Sequence, residues 1–254
     1  MSTTAARDVP ELFDDPSAWR EQAIVALGLD GEDRCAGAST SPAMPKLIEE
    51  LAERLDRLPV GPAADVGGGL GPASWWLTRR TRHRFVTIDA SASSCAGARR
   101  LFGVAALRAR SAALPVAPRS CSATLLNGVV SLLDDLQASV AEAMRITRPG
   151  GLVAVADLTA AGDQRVITAS NTFWTADDLV AALLAGGADV DYYACCEPGI
   201  GRWAEVQSIV HDEIADRHAG ERGFADWRDD DEQIAALIAE GRVAATCMIA
   251  EVPA

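Results

Sequence analysis

The chain is short of basic residues. Its 254 residues carry 23 lysines and arginines against 36 aspartates and glutamates, a formal net charge of −13. Phosphate backbones are held by an excess of Lys and Arg, so this balance speaks against nucleic acid as the main partner. The longest basic cluster, Arg79 to Arg84 with Thr81 and His83 inside it, is too small to reverse the sign. Long apolar runs are missing as well. Nothing approaches the ~18 uninterrupted apolar residues of a membrane span. Arg7, Asp8 and Glu11 stand where a signal peptide carries its apolar region. A cytosolic protein without a membrane partner is expected. No CxxC pair exists among Cys35, Cys95, Cys121, Cys195, Cys196 and Cys247, and the adjacent Cys195 and Cys196 are poorly placed to bind one metal together. They read as reduced and mostly buried. Internal repeats and low-complexity tracts are also absent. What is present, 49% hydrophobic and 23% charged residues, suits a globular protein with a large core and excludes disorder and small disulfide scaffolds.

Near the amino terminus, Trp19, Ile24, Leu27 and Leu29 are spaced for a short docking helix. Ser41 reads as a helix cap with Pro42 at the first helical position, and Leu47, Ile48, Leu51, Leu55 and Leu58 continue that helix to Pro59. From residue 63 onward strand-like runs alternate with helical segments: Ala63 to Val66, Phe85 to Ile88, Val104 to Leu107, Ala123 to Leu126, Leu152 to Ala156, Val190 to Ala194 and Ala245 to Ala250. Such alternation predicts an α/β, doubly wound, Rossmann-like seven-stranded sheet. Asp134 or Asp135 can cap a helix through Met144 ended by Arg148, Pro149 and Gly150. Thr175 can cap another through Leu184 ended by Gly186 and Gly187. The gap between the last two strands, 197–243, holds two helical patterns, Trp203 to His218 and Asp230 to Glu240, and reads as a lid insertion. The division is then a helical cap over 1–60 and a main domain over 61–254 carrying the lid.

The first strand ends in Asp-Val-Gly-Gly-Gly-Leu-Gly, Asp65 to Gly71, and a helical segment follows at once. Glycines at 67, 69 and 71 remove β-carbons where the chain must turn sharply. Backbone N–H groups and a helix's positive end can then approach a ligand. Twenty residues after Gly69 the second strand ends in Asp89, whose carboxylate can accept both hydroxyls of a ribose. A dinucleotide fingerprint starting at Gly67 would need a glycine where Pro72 stands, which disfavours a nicotinamide oxidoreductase.

At this point the chain resembles the class I S-adenosylmethionine-dependent methyltransferases, from about Pro42 to Ala250. The glycine segment is similar to their first motif and Val86 to Ser91 to their second. Residues 113–118 and 145–158 resemble the stretches before the fourth and into the fifth strand. Within the class it looks most like small-molecule enzymes related to the glycine, sarcosine, tocopherol and antibiotic-sugar methyltransferases. The resemblance implies that the last strand is antiparallel, at or near one edge. It further implies S-adenosyl-L-methionine as cofactor, with Asp65, Gly67, Gly68, Gly69 and Gly71 along its methionine part and Asp89 on the ribose. Ala90 would border the adenine, as would Ser111 and Ala112, although relatives usually have an acid where Ser111 stands. Asn127, Gly128 and Val129 would face the amino group and the transferring methyl.

Many relatives have a histidine where this chain has Ser131, and a serine is no general base without a partner. His211 and Asp157 are the catalytic candidates. His211 and His218 sit on the flank of the stripe Trp203, Val206, Val210 and Ile214, where half-exposed surface histidines are the plainer reading. Asp157 lies just after the fifth strand, able to bind an acceptor amine or a metal, or equally to cap the next turn. Trp19, Ser131, Trp174 and Trp203 are candidates for the acceptor pocket, whereas Trp76 reads as core. The Asp134 and Asp135 pair is explained by capping, and no metal site is expected. The run Asp229 to Glu232 reads as a charged first turn. Methyl transfer to a small metabolite at oxygen, nitrogen or carbon, in secondary metabolism, is the leading expectation. The alternative is a non-methylating binding protein or cofactor-assisted cyclase on the same fold. A homodimer is left open.

Overall fold

The computed structural model describes residues 14–41, 44–196 and 201–253. In chain order the strands are β1 (Pro62–Val66), β2 (Arg84–Asp89), β3 (Ala106–Arg108), β4 (Cys121–Asn127), β5 (Thr147–Ala160), β6 (Val166–Ile167), β7 (Thr172–Phe173), β8 (Asp189–Cys196) and β9 (Val243–Glu251). All but β6 and β7, which pair only with each other, join one sheet in the order β3-β2-β1-β4-β5-β9-β8. β9 runs antiparallel to β5 and β8, and the remaining pairs are parallel. The antiparallel last strand is therefore present, one place in from the edge.

The helices are α1 (Asp14–Ala26), α2 (Gly31–Ala38), α3 (Met44–Leu55), α4 (Pro72–Arg80), α5 (Ala92–Phe102), α6 (Leu136–Ile146), α7 (Ala176–Ala185), α8 (Arg202–His218) and α9 (Phe224–Ala239). Successive strand residues point to opposite faces, and both faces are covered. Ala63, Leu125 and Ala154 meet Leu47, Leu51 and Leu77 of α3 and α4. Ala64, Leu126 and Val153 meet Val140, Leu179 and Leu183 of α6 and α7. Burial on both sides is why the strands read as apolar runs rather than alternating ones. A third cluster joins Trp19 and Ile24 of α1 and Val210 and Ile214 of α8 with Phe224 of α9. It also takes in Leu101 of α5 and Leu70 of the glycine turn.

Several local readings hold. Asp135 caps α6 by accepting from the Ala138 N–H at 2.9 Å, and Thr175 with Asp178 forms a capping box on α7. Others need correction. The Ser41 Oγ, expected as a cap, is buried with no hydrogen-bond partner among the described residues; α3 is described from Met44, and Pro42, the expected first helical position, lies outside them. β3 starts at Ala106 rather than Val104, because Gly103 in a left-handed conformation closes α5 and the chain needs two residues to turn back. The Arg148-Pro149-Gly150 segment does not end the preceding helix but opens β5, which begins at Thr147. α9 begins at Phe224, so Asp229 to Glu232 lie in its middle, away from any helix-end dipole. The β6–β7 hairpin gave no sequence signal, since two-residue strands are too short to show a period. Cys35, Cys95, Cys121 and Cys247 are buried; the side chains of Cys195 and Cys196 lie outside the described residues. No described helix is long and apolar enough to cross a membrane.

Candidate active site

From β1 the chain passes to β2 and β3 on one side and then returns to β4 and β5 on the other. The carboxyl ends of β1 and β4 therefore flank a topological switch point, the crevice where open α/β sheets bind ligands. The glycine turn stands there. Gly67, Gly69 and Gly71 all have positive φ, at 69°, 55° and 81°. A β-carbon on Gly67 would lie 2.3 Å from Val129 Cγ2, so at that position glycine is required for space as well as for conformation. Gly71 then starts α4, with Pro72 at its first position, where a missing N–H costs nothing.

Asp65 is 1% exposed. Its Oδ2 accepts from the Ser74 N–H at 3.2 Å and the Ser74 hydroxyl at 2.9 Å, while Oδ1 has no partner among the described residues. Burial, with Asp89 nearby, pushes its pKa up to about 6. Asp89 Oδ2 accepts the Gly69 N–H and Oδ1 the Ser91 N–H, both at 2.8 Å. Burial raises this carboxyl too. Asp89 thus braces the glycine turn, and the Ser91 hydroxyl ties the same loop to Asp14 at the start of α1 at 2.6 Å.

Across the crevice, Asn127 ends β4 and Gly128 and Val129 follow it. Asn127 Oδ1 is buried without a partner among the described residues, and Gly128 packs so tightly on Ser41 that a β-carbon would lie 3.0 Å from Ser41 Cβ. Asp65 Oδ1, Asn127 Oδ1 and Ser41 Oγ are therefore three buried oxygens in want of donors around one switch point. An ammonium group, with three N–H donors, is the kind of ligand such a set fits. Ser111 lies beyond β3 with its hydroxyl 2.8 Å from that of Ser139 on α6; Ala90 is half-buried and Ala112 exposed.

Ser131 and Asp157 are brought together. Asp157 is 4% exposed. Its Oδ2 accepts the Ser131 N–H at 3.0 Å, and its Oδ1 accepts the Leu158 N–H at 2.7 Å and the Ser131 hydroxyl at 3.2 Å. Asp157 lies inside β5 rather than just after it, so no turn follows for it to cap; its carboxylate instead holds the earlier 3-10 turn Val130–Leu132 across the parallel pairing of β4 with β5, and burial pushes its pKa up to about 6. Trp174 donates its Nε1–H to the Val130 carbonyl of that same turn at 3.1 Å, under the Arg165 guanidinium.

The remaining candidates lie elsewhere. His211 Nε2 accepts from the buried Arg20 guanidinium at 2.9 Å, and its Nδ1 is 3.4 Å from Asp231. It stands at the junction of α1, α8 and α9, apart from the Ser131–Asp157 pair. Trp19 is 3% exposed, stacks on His218 at 5.4 Å and donates to Glu221 at 2.9 Å. His218 is buried rather than half-exposed, because that stacking covers it. Trp203 and Trp76, the latter half-buried rather than core, line a surface groove between α3 and α4 with Ile48, Ala52 and Arg80. Sequence reasoning missed Arg20, Ser74 and Thr87. Arg20 also donates to the Gly37 carbonyl at 3.0 Å, and burial lowers its pKa to about 10; an arginine on a short helix reads as surface, and nothing local marks it otherwise. Among the described residues no group of three His, Cys, Asp or Glu could hold a metal ion.

A family model described as a methyltransferase domain matches residues 64–155. No curated protein sequence matches the chain. Among solved structures, the (4+2)-cyclase SpnF is similar with a TM-score of 0.73 and 16% identity, over 96% of each chain. Haemonchus contortus phosphoethanolamine N-methyltransferase 2 has a TM-score of 0.70 and 12% identity, over 98% of this chain and 61% of that one. Geranyl diphosphate C-methyltransferase from Streptomyces coelicolor A3(2) has a TM-score of 0.64 and 14% identity, over 98% and 100%. The matched span, 64–155, holds β1, the glycine turn, Asp89 and β4, and the rest of the sheet completes the same architecture. Residues 64–155, which include the switch-point crevice, thus match a methyltransferase domain, and the chain has the Rossmann-like methyltransferase fold of these solved structures.

Proposed function

We propose that the chain binds S-adenosylmethionine and directs its methyl group onto a small-molecule acceptor at oxygen, nitrogen or carbon. The observation that carries this reading is the glycine turn braced by Asp89, at a switch point where buried oxygens of Asp65, Asn127 and Ser41 have no partner among the described residues. Asp65, Gly67, Gly68, Gly69, Gly71, Asn127, Gly128 and Val129 would hold the amino-acid part, Asp89 the ribose, and Ala90, Ser111 and Ala112 the adenine. The bound cofactor supplies a methyl group activated by a sulfonium.

Asp157 is the better placed of the two candidate bases. Burial pushes its pKa up to about 6 and it accepts a hydrogen bond from the Ser131 hydroxyl, so an acceptor hydroxyl or amine replacing that contact meets a proton-accepting group. His211 can accept a proton at Nε2 only if Arg20 withdraws. Ser131 and Trp174 would border the acceptor, with Trp19 and Trp203 further out. The cap, 1–60, and the lid, 197–243, meet through α1, α8 and α9 and contact the glycine turn at Leu70, which supports a cover that excludes water from the crevice.

Similarity to a cyclase over 96% of both chains favours one second reading, a cofactor-assisted cyclase that transfers no methyl. Calorimetry with S-adenosylmethionine and NAD, followed by incubation with methyl-labelled cofactor and a metabolite library, tests both. Binding and labelled product support methyl transfer; binding with unlabelled, rearranged product supports the cyclase; no binding, or tighter binding of NAD, refutes both.

A further inference from the structure

Asp65 is held from one side only. The Thr87 hydroxyl, on β2, donates to Ser74 Oγ at 2.8 Å. Ser74 Oγ therefore has its own proton free to donate onward, to Asp65 Oδ2 at 2.9 Å, and the Ser74 backbone N–H joins it on that same oxygen. The relay has one direction, from Thr87 through Ser74 to Asp65. Ser74 and Thr87 are both fully buried, so water does not substitute for either. Gly68 closes the other approach to Oδ2: a β-carbon there would lie 2.6 Å from that atom and 2.7 Å from Cγ. Every donor that reaches Asp65 among the described residues thus converges on Oδ2, and Oδ1 is left buried and unbonded.

We infer that Ser74 and Thr87 are positioning residues that hold Asp65 by Oδ2 so that Oδ1 receives an ammonium group of the ligand. This rests on the reading that the crevice binds the amino-acid end of S-adenosylmethionine, and it names the residues that prepare the crevice for that charge. The donor relay favours the ionised carboxylate, whereas burial and the Asp89 carboxylate on β2 oppose it; Cys35 on α2 is the other titratable group that Asp65 acts upon. Near pH 6 the unliganded carboxyl is therefore partly protonated, and a cation arriving at Oδ1 expels that proton.

The test is calorimetric titration of S-adenosylhomocysteine into the full chain at pH 6 and pH 8, each in two buffers of different ionisation enthalpy. At pH 6 the wild type should release about half a proton per ligand and at pH 8 almost none. Asp65→Asn should abolish the release. Ser74→Ala, which takes one donor from the carboxylate, should move the release window up by about one pH unit. Thr87→Val, which keeps the buried shape, should move it the same way by less, and it serves if Ser74→Ala does not fold. Ligand binding without proton release at pH 6, release that persists in Asp65→Asn, or an unmoved window in both relay variants would overturn the inference while leaving cofactor binding standing. A wild type that fails to bind S-adenosylhomocysteine at all would overturn the cofactor reading and the inference with it.

Discussion

Replacing Asp65 by Asn should stabilise the unliganded protein at pH 8, and the gain should shrink as the pH falls and reverse by pH 4. Asp65 has an ordinary carboxyl pKa of 3.8 in the unfolded chain and one of about 6 when folded, because burial disfavours its charge. Since the folded value is the higher, the folded state holds the proton longer. No penalty exists below 3.8, and stability is lost as the pH rises through 6. The two pKa values translate into a cost of about 0.5 kcal/mol at pH 4 and about 3 kcal/mol at pH 8. Asparagine removes this titration and can keep both Ser74 bonds by setting its carbonyl in the place of Oδ2. Its amide then occupies the Oδ1 position unpaired, at roughly 1–2 kcal/mol. That second cost does not vary with pH. The stability difference between variant and wild type should therefore rise by about 2.5 kcal/mol from pH 4 to pH 8, whatever the amide costs. Urea denaturation followed by circular dichroism at four pH values measures it. A flat difference across that range would refute the claim that burial raises the Asp65 carboxyl in the folded protein.

Asp89→Ala removes the acceptor for the Gly69 N–H and the proposed ribose ligand, and S-adenosylhomocysteine should bind more weakly by about 1.5–3 kcal/mol in calorimetry; unchanged affinity would remove Asp89 from the site. Gly67→Ala and Gly69→Ala form a contrasting pair. Both have positive φ and share a strain of about 1–2 kcal/mol, but only Gly67 also meets Val129 at 2.3 Å, whereas nothing lies within 4 Å of Gly69. Thermal unfolding should show Gly67→Ala as much the less stable of the two. Trp19→Ala deletes the stacking on His218 and the bond to Glu221, and should cost about 3–5 kcal/mol if the whole fold is coupled to it. If α1 and the α8–α9 pair open as a separate unit, hydrogen exchange will instead quicken in 14–26 and 202–239 while the sheet stays protected.

What the sequence determined by itself was whatever depends on neighbours in the chain. The central strands could be read because a strand buried on both faces must be apolar over several residues, as Leu152 to Ala156 is. Thr175 and Asp135 could be read as caps because a cap acts on N–H groups two or three residues away. The glycine turn and Asp89 were legible because strand, turn, helix and strand are consecutive. Tertiary structure alone decided which distant groups meet. Ser131 needed a partner, and whether Asp157, 26 residues on, would supply it depended on the parallel pairing of β4 with β5. His211 looked free as a base until α1 packed Arg20 onto its ring nitrogen. Trp19 looked like a pocket wall until α8 placed His218 against it. Ser41 looked like a cap, yet its Oγ is buried without a partner among the described residues and its Cβ packs beside Gly128 of the crevice. In each case the local pattern was compatible with several surroundings. The state of a side chain, whether ionised, unpaired or spent in packing, was set by burial and by partners that only the folded sheet and its cover bring within reach.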